Sequence, residues 1–497
     1  MTEKNNVIAG LSEIVGNKIV ISDEKSRKAF LATYQGFEKP AFPEAIVYAG
    51  TTEEIQAIVN YIREETDLGI VVCSSEGKYR LTANALPKEG TRSIILNLSR
   101  MKRIFRIDTR NRVAFVEPGV TFTELEAALK GTGLKLDYPF QARGDKSVLA
   151  ALLDRTPITA PLNVWDTNDP LLCLEVVFGN GKIFRTGSAA GPGTLEEQWE
   201  AGVAMNNPMG PSHTDFARVL SGSQGTLGIV CWASIKLEFE LSVEKMLYAE
   251  GGTVSELAPV AWRGIRRRLG NNYLLLNDFA LGCVFGHDRK EIDMITGAAA
   301  EWTLAINMAG KRIRPEEKVK YQTEDLISLA AHTDGIRINL KEKIDAVSNI
   351  EFKNAVTGLS TGKYWKYRYE GHALDIYFLT TLDQADEYVN AVKEICGNDC
   401  KTAVYIQPCM QGRNAHLEFV IPYSDDNRTQ AKSLYKKLMK ALLAKGAFFS
   451  RPYGICEDQI FEKAPMQIRT IEKLKKMFDD RHILNPNRFY NEKEVAK

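Results

Sequence analysis

The sequence predicts an α+β protein in two parts, and three observations lead there. Its 497 residues exceed what one hydrophobic core fills, since single cores rarely grow beyond about 250 to 300 residues. From residue 45 onward, short apolar strands alternate with capped helices. Near residue 240 the composition changes from glycine-rich turns to amphipathic helices separated by β-rich segments. The division is a first domain over residues 1–239, a second over 240–450 and a closing segment over 451–497.

Each element has a local cause. Ala-Ile-Val-Tyr-Ala at 45–49 reads as a strand, and Thr51-Thr-Glu-Glu54 has capping-box spacing at a helix start. Ile55, Ile58, Val59 and Ile62 then recur at i, i+3, i+4 and i+7, which is one apolar helix face. Residues 70–73 return as a buried strand, 94–98 as another, and 106–116 as a hairpin stopped by Pro118-Gly119. Thr121 and Glu124 cap a further helix that Gly131 ends. Residues 171–187 read strand, turn, strand, with Gly179-Asn-Gly181 as the turn. The run between Gly187 and Phe216, rich in Gly, Pro and Asn, predicts a long loop. Strands follow at 231–237, 373–379 and 416–421, a helix at 471–478 and a turn at 484–488.

Charge and composition exclude several function classes. Lys plus Arg number 64 against 63 Asp plus Glu, a net charge of +1, which gives no reason to expect a nucleic-acid partner. No apolar run approaches the ~18 residues of a membrane span. The amino end lacks the basic start and apolar stretch of an export signal, and eight scattered cysteines read as reduced thiols, so the expected location is cytoplasmic. Cys396 and Cys400 form at most half a metal site, and nothing nearby completes it; no metal is expected. A Walker loop, HExxH, GxSxG and a Rossmann fingerprint after the first strand are all missing.

What the chain does carry is small residues at three turns: Pro118-Gly119, Gly144-Asp-Lys-Ser147, and Gly222-Ser-Gln-Gly225 with Gly228. Such turns let backbone amides come close to a pyrophosphate.

In that order the motifs resemble the FAD-binding family of vanillyl-alcohol oxidase, 4-cresol dehydrogenase, glycolate oxidase and D-lactate dehydrogenase. Val116-Glu-Pro-Gly-Val-Thr121 is similar to its "EPGVT" segment, Ser147-Val-Leu149 to its "GSVLGN" loop, and residues 174–187 to its "EVVLANGELLRTG" hairpin. Residues 223–230 resemble "GSEGTLGIVT", and 483–487 the closing "GILNP". The resemblance implies a two-part PCMH-type FAD-binding domain, a separate α+β substrate (cap) domain and a carboxy-terminal segment that returns to the first. It implies FAD held by Pro118, Gly119, Gly144, Ser147, Val148, Ser223, Gly225, Gly228, Ile229 and Asn485. Where the family has a glycine-rich loop after its third strand, this chain has Cys73-Ser-Ser-Glu-Gly-Lys-Tyr-Arg-Leu-Thr-Ala-Asn-Ala-Leu-Pro87. There Ser74, Ser75, Gly77 and Thr82 are the implied contacts.

The carboxy-terminal half resembles the vanillyl-alcohol oxidase and 4-cresol dehydrogenase branch. That implies Arg451 as an anion-binding residue, although Ser450 and Thr82 stand where the branch has the two tyrosines that help hold a phenolate. Asp166, nine residues before Glu175, falls where the branch has a catalytic carboxylate, which can take a proton as hydride leaves. His416 is a secondary catalytic candidate, and His372 lies near the point of covalent FAD attachment, non-covalent FAD being the first expectation. Tyr364, Trp365, Tyr367 and Tyr369 read either as a pocket or as core.

The expected activity is therefore that of a FAD-dependent dehydrogenase or oxidase taking hydride from a para-substituted phenol or aryl alcohol. The alternatives are a 2-hydroxy-acid dehydrogenase and a flavin-fold subunit without activity of its own. A small anionic or aromatic substrate, a separate electron-acceptor protein and a homo-dimer are the partners the resemblance implies.

Overall fold

In the computed structural model, which describes residues 3–211, 214–332, 338–397 and 400–489, Thr51 caps the helix Thr52–Glu65 by accepting the Glu54 amide at 3.1 Å. The Glu54 carboxylate reaches back one residue further than a capping box would and accepts the Gly50 amide at 2.6 Å. Ile55, Ile58, Val59 and Ile62 are fully buried, as their spacing requires. They pack on a four-stranded sheet in which Ile46–Tyr48, Ser93–Asn97 and Gly69–Cys73 run parallel and Val20–Ile21 forms an antiparallel edge. Parallel strands need a crossover, and Thr52–Glu65 supplies it.

A second, antiparallel sheet of five strands has the order Ile104–Asp108, Val113–Val116, Gly228–Lys236, Leu171–Phe178, Ile183–Arg185. Phe115, Cys173, Val177, Ile229 and Cys231 face the first sheet in one shared core. Ala114, Val116, Leu174, Val176 and Ala233 face the other way, under the helices Phe122–Leu129 and Val148–Leu153. Period-two alternation thus buries this sheet on both sides.

The third sheet has six antiparallel strands, all from residues 243–423: Val243–Gly251, Trp302–Gly310, Asn272–Asn277, Ala403–Cys409, Asn414–Tyr423 and His372–Thr380 in spatial order. Leu374, Ile376, Phe378, Leu417, Phe419 and Ile421 pack beneath the helices Val254–Arg266, Pro315–Ala331, Ala385–Cys396 and Arg428–Ala444. Alternation sends Asp375, Tyr377, His416 and Glu418 to the opposite face. That face meets the first two sheets.

The closing segment returns to the amino-terminal sheets. Ile70 donates to the Ile483 carbonyl at 2.7 Å and accepts from Asn485 at 2.8 Å, so residues 483–485 extend the edge at Gly69–Cys73. The helix Pro465–Phe478 delivers Lys475 to a buried site. Its ammonium donates to Asp479 at 2.7 Å and to the carbonyls of Leu484 and Thr226 at 2.7 and 2.9 Å. Asp479 in turn accepts the amides of Ile483 and Leu484 at 3.0 and 2.8 Å.

Three segments differ from their sequence reading. The loop between Gly187 and Phe216 contains the helix Leu195–Glu200, started by a complete Thr194/Glu197 capping box that the preceding Gly-Pro-Gly punctuation obscures. Residues from Val148 form a helix rather than a loop, because Ser147 accepts the Ala150 amide as its cap. Pro465 starts the last helix six residues earlier than expected, from a first-turn position that suits proline. The aromatic run at 364–369, open between pocket and core on sequence, forms a 3-10 turn, Trp365–Tyr367, whose Trp365 is core, buried against Phe140 and Tyr405. Among the described residues no helix is long and apolar enough to cross a membrane.

Candidate functional site

A cavity of about 470 Å³ lies where the six-stranded sheet faces the two amino-terminal sheets. Its size is that of a site for a small molecule or cofactor. One wall comes from turns. Ser74, Ser75, Thr82, Pro118, Ser223, Gly225, Gly228 and Ile229 all line it. The other wall comes from strands and carries Asp375, Tyr377, Tyr405, His416 and Glu418, with Lys366 and Arg451 beside them.

The turn wall is stitched together by residues behind it. The Ser147 amide donates to Ser75 Oγ at 3.1 Å, and Ser147 Oγ donates to the Pro118 carbonyl at 2.6 Å. Three motifs far apart in sequence thereby meet at one residue, Ser147. Asn485 adds a second tie, donating to the carbonyls of Asn84 and Gln224 at 3.0 and 2.7 Å. Arg488, buried, binds the carbonyls of Ala83 and Leu86 at 2.8 and 3.1 Å and the Glu457 carboxylate at 3.1 Å. Gly119 is required by close approach, since a Cβ there would stand 2.6–2.7 Å from the carbonyls of Met101, Leu98 and Ser99. Gly119, Gly144, Ser147, Val148 and Asn485 thus lie behind the lining, and so does Gly77, whose turn packs on Asp145.

The strand wall holds a charged network that the sequence motifs did not indicate. Lys366 Nζ lies 2.7 Å from Asp375 and also pairs with Glu418. The other oxygen of Glu418 accepts from Tyr405 at 2.8 Å and lies 2.9 Å from His416 Nε2. Register places Tyr377 and Tyr405 on either side of Glu418. Burial alone would raise the Glu418 carboxyl, but Lys366 and His416 outweigh it and hold it well below the usual carboxylate range. Asp375, which opens onto the cavity, is pushed up to about 7 by burial and by the negative charge of Glu418, against the pull of Lys366. Burial lowers His416, with Arg451 and Lys366 adding to the effect, so its imidazole is neutral at pH 7.

Arg451 presents its guanidinium to the cavity with its carbon 4.2 Å from the centre of the Tyr377 ring. Among the described residues no carboxylate lies within 4.0 Å of it. Lys146, also on the lining, has Asp154 at 4.0 Å, and burial together with Arg143, Arg451 and Lys366 lowers its ammonium to about 8. Tyr453 donates to the same Asp154 at 2.9 Å.

Two expected site residues lie elsewhere. Asp166 is off the cavity lining: it is paired with Arg218 and accepts the Asn168 amide at 2.7 Å in a turn. His372 stacks on Tyr423 with ring centres 5.3 Å apart, and its Nε2 lies 3.1 Å from Asp425. It too is off the lining. Lys366, Asp375, Glu418, Tyr405 and Lys146 were missed by motif reading. The available signal was polar residues at alternate positions, Asp375/Tyr377 and His416/Glu418, in strands that are otherwise apolar.

Fold and cavity match the architecture of FAD-binding flavoproteins. Residues 43–187 match the family described as FAD binding domain. Over 470 residues, 90% of this chain and 89% of its relative, the sequence is 24% identical to a glycolate oxidase subunit of Bacillus subtilis (strain 168). The fold is that of p-cresol methylhydroxylase, at TM-score 0.82 and 17% identity, covering 98% of this chain and 96% of that one. It is likewise that of 4-ethylphenol oxidase from Gulosibacter chungangensis, at TM-score 0.78 and 17% identity over 99% and 98% of the two chains. An FAD-binding domain thus spans residues 43–187, and along most of its length the chain is similar to FAD-dependent oxidoreductases.

The residues present fit FAD. Gly225, at φ +69°, faces open space on the lining, where a side chain would intrude. Arg80 Nε and Arg143 Nη1 are buried without a partner on residues that line the cavity, as donors awaiting an anion. Guanidinium groups here accompany a loop poor in glycine. Ser74, Ser75, Thr82, Ser223 and Gly225 are the groups that would hold the cofactor.

Proposed function

We propose that the protein oxidises a small anionic aromatic alcohol or phenol, held by Arg451 among the cavity tyrosines, with hydride passing to FAD. The observation that carries this reading is the guanidinium of Arg451, facing the cavity and free of any carboxylate partner among the described residues. A phenolate or carboxylate would complete its charge pairing. Tyr377, Tyr405 and Tyr453 offer aromatic rings to such a substrate, the hydroxyls of Tyr405 and Tyr453 donating to Glu418 and Asp154. FAD supplies the hydride acceptor and, when reduced, the electrons for a further acceptor. The protein's own part is to seat the substrate anion, hold its C–H in one orientation and exclude water. FAD is read as non-covalent, which the engagement of His372 with Tyr423 and Asp425 supports.

The test is anaerobic bleaching of the FAD-loaded protein by para-hydroxybenzyl alcohol, compared with D-lactate and glycolate. Bleaching by the aromatic alcohol alone is the expected result. A second reading, a 2-hydroxy-acid dehydrogenase, is favoured by the likeness to a glycolate oxidase subunit along most of the chain, and bleaching by the hydroxy acids alone would establish it. Acid precipitation should leave a colourless pellet and a yellow supernatant.

A further inference from the structure

We propose that Asp375 is the proton acceptor of this oxidation, held ready by Lys366 and Glu418. The inference rests on the oxidoreductase reading of the same cavity and adds the acid–base group that reading lacks. A carboxylate was expected at Asp166, but that side chain is bound to Arg218 away from the lining.

Partners are unevenly divided between the two carboxylates. Glu418 has a partner at each oxygen: Oε1 forms an ion pair with Lys366, without a hydrogen bond, and Oε2 takes Tyr405 at 2.8 Å and His416 at 2.9 Å. Asp375 has a partner at one oxygen only. Its Oδ2 accepts Lys366 at 2.7 Å, while Oδ1, shielded from solvent, has no donor at all. Two carboxylates therefore share one ammonium. The group is short of one positive charge and one hydrogen-bond donor, and a proton on Asp375 supplies both.

Other elements facing this carboxyl limit where a proton can go. Lys366 comes from the turn Trp365–Tyr367, Glu418 and His416 from Asn414–Tyr423, Tyr405 from Ala403–Cys409, and Arg451 and Lys146 from the loops across the cavity. Lys366 stays charged, its ammonium raised well above its ordinary range by Asp375 and Glu418 in spite of burial. His416 is neutral but already occupied by Glu418 and Tyr405. Asp375 is the member of the network that is both open to the cavity and short of a donor. Its rise toward neutrality suits a base that must be empty before turnover and filled after it.

The step balances. The substrate O–H bond would break with its proton moving to the Asp375 carboxylate, and the C–O bond would become C=O; FAD, when bound, would supply the acceptor for the C–H electron pair as hydride. The proton then leaves to solvent before the next cycle.

Two readouts on the FAD-loaded protein test this, one of them independent of activity. Infrared difference spectra from about pH 5 to about pH 9 should show a protonated-carboxyl band that titrates near neutrality and is absent in Asp375→Asn. Anaerobic bleaching by substrate should slow at least ~100-fold in that variant and lose its rise with pH, while substrate affinity changes less than about threefold. Lys366 is a positioning residue: Lys366→Met should move the band's midpoint upward, and Asp375→Glu, which keeps the carboxyl, should keep a titrating band. No titrating band that Asp375→Asn removes, or bleaching at the wild-type rate in Asp375→Asn, overturns the proposal. A titrating band beside a wild-type flavin that no alcohol or hydroxy acid bleaches overturns the oxidoreductase reading instead, with the proton site upheld.

Discussion

The two walls of the cavity are built on opposite plans. The amino-terminal wall is made of turns, carries positive charge on Arg80, Arg143 and Lys146, and owes its shape to hydrogen bonds from Ser147, Asn485 and Arg488 that lie behind it. The cap wall is a sheet face with Lys366, Asp375 and Glu418 on its surface, each contributed by a different element. Turns suit a constant ligand, because backbone groups do not vary with side-chain identity. A sheet face suits a variable one, since every second residue can be exchanged without touching the core behind it. The turn wall is therefore fixed by architecture and the strand wall by composition.

Substitutions should separate the two plans. The largest effect is expected at Lys475→Met, which leaves Asp479 buried without its cation behind the turn wall. A loss of about 3–5 kcal/mol in urea unfolding is the expected outcome, accompanied by weaker FAD retention. Arg451→Ala should leave FAD bound and stability nearly unchanged, while substrate affinity in anaerobic titration falls by roughly 10- to 150-fold, the worth of hydrogen bonds to a charged group. A variant that also sheds FAD would show that the two walls are not independent.

Lys146 lies on the turn wall and tests charge alone. Its folded value, about 8, is below the ordinary 10.5, so the folded state holds fewer protons between those values and the cost of burying the ammonium is fully present below about pH 8. Lys146→Met should stabilise the FAD-free protein at pH 7, on the order of 2 kcal/mol, and that gain should fade as pH rises toward 10.5. The smallest effect is expected at Asp166→Asn. Its pair with Arg218 is partly exposed, and the stability change should stay below about 1 kcal/mol, with bleaching rates within about twofold of wild type.

Most of the turn wall was legible in the sequence because its residues are consecutive. Pro118-Gly119, Ser147 and the run from Ser223 to Ile229 each announce a turn, and turn chemistry is local. Even so, local reading could not separate Ser75, on the lining, from Ser147, which lies behind it at 3.1 Å. The strand wall was mostly illegible for the converse reason. Asp375 and Lys366 meet through nine residues of chain, and Glu418 reaches both only through strand pairing between His372–Thr380 and Asn414–Tyr423. No spacing rule encodes that register. The position of Asp166 failed differently, since sequence offset from Glu175 says nothing of Arg218, 52 residues further on.

The return of residues 483–485 to the edge of Gly69–Cys73 also sets an order of events during biosynthesis. Loop 74–87 is anchored by Asn485 and Arg488, and the turn at Thr226 by Lys475. A ribosome that has released the first two sheets into solution has not yet released the residues that pin their turns. Closure of the turn wall in its final geometry therefore waits until residues 475–488 have emerged, and a product truncated before them would carry the turn motifs without their anchors.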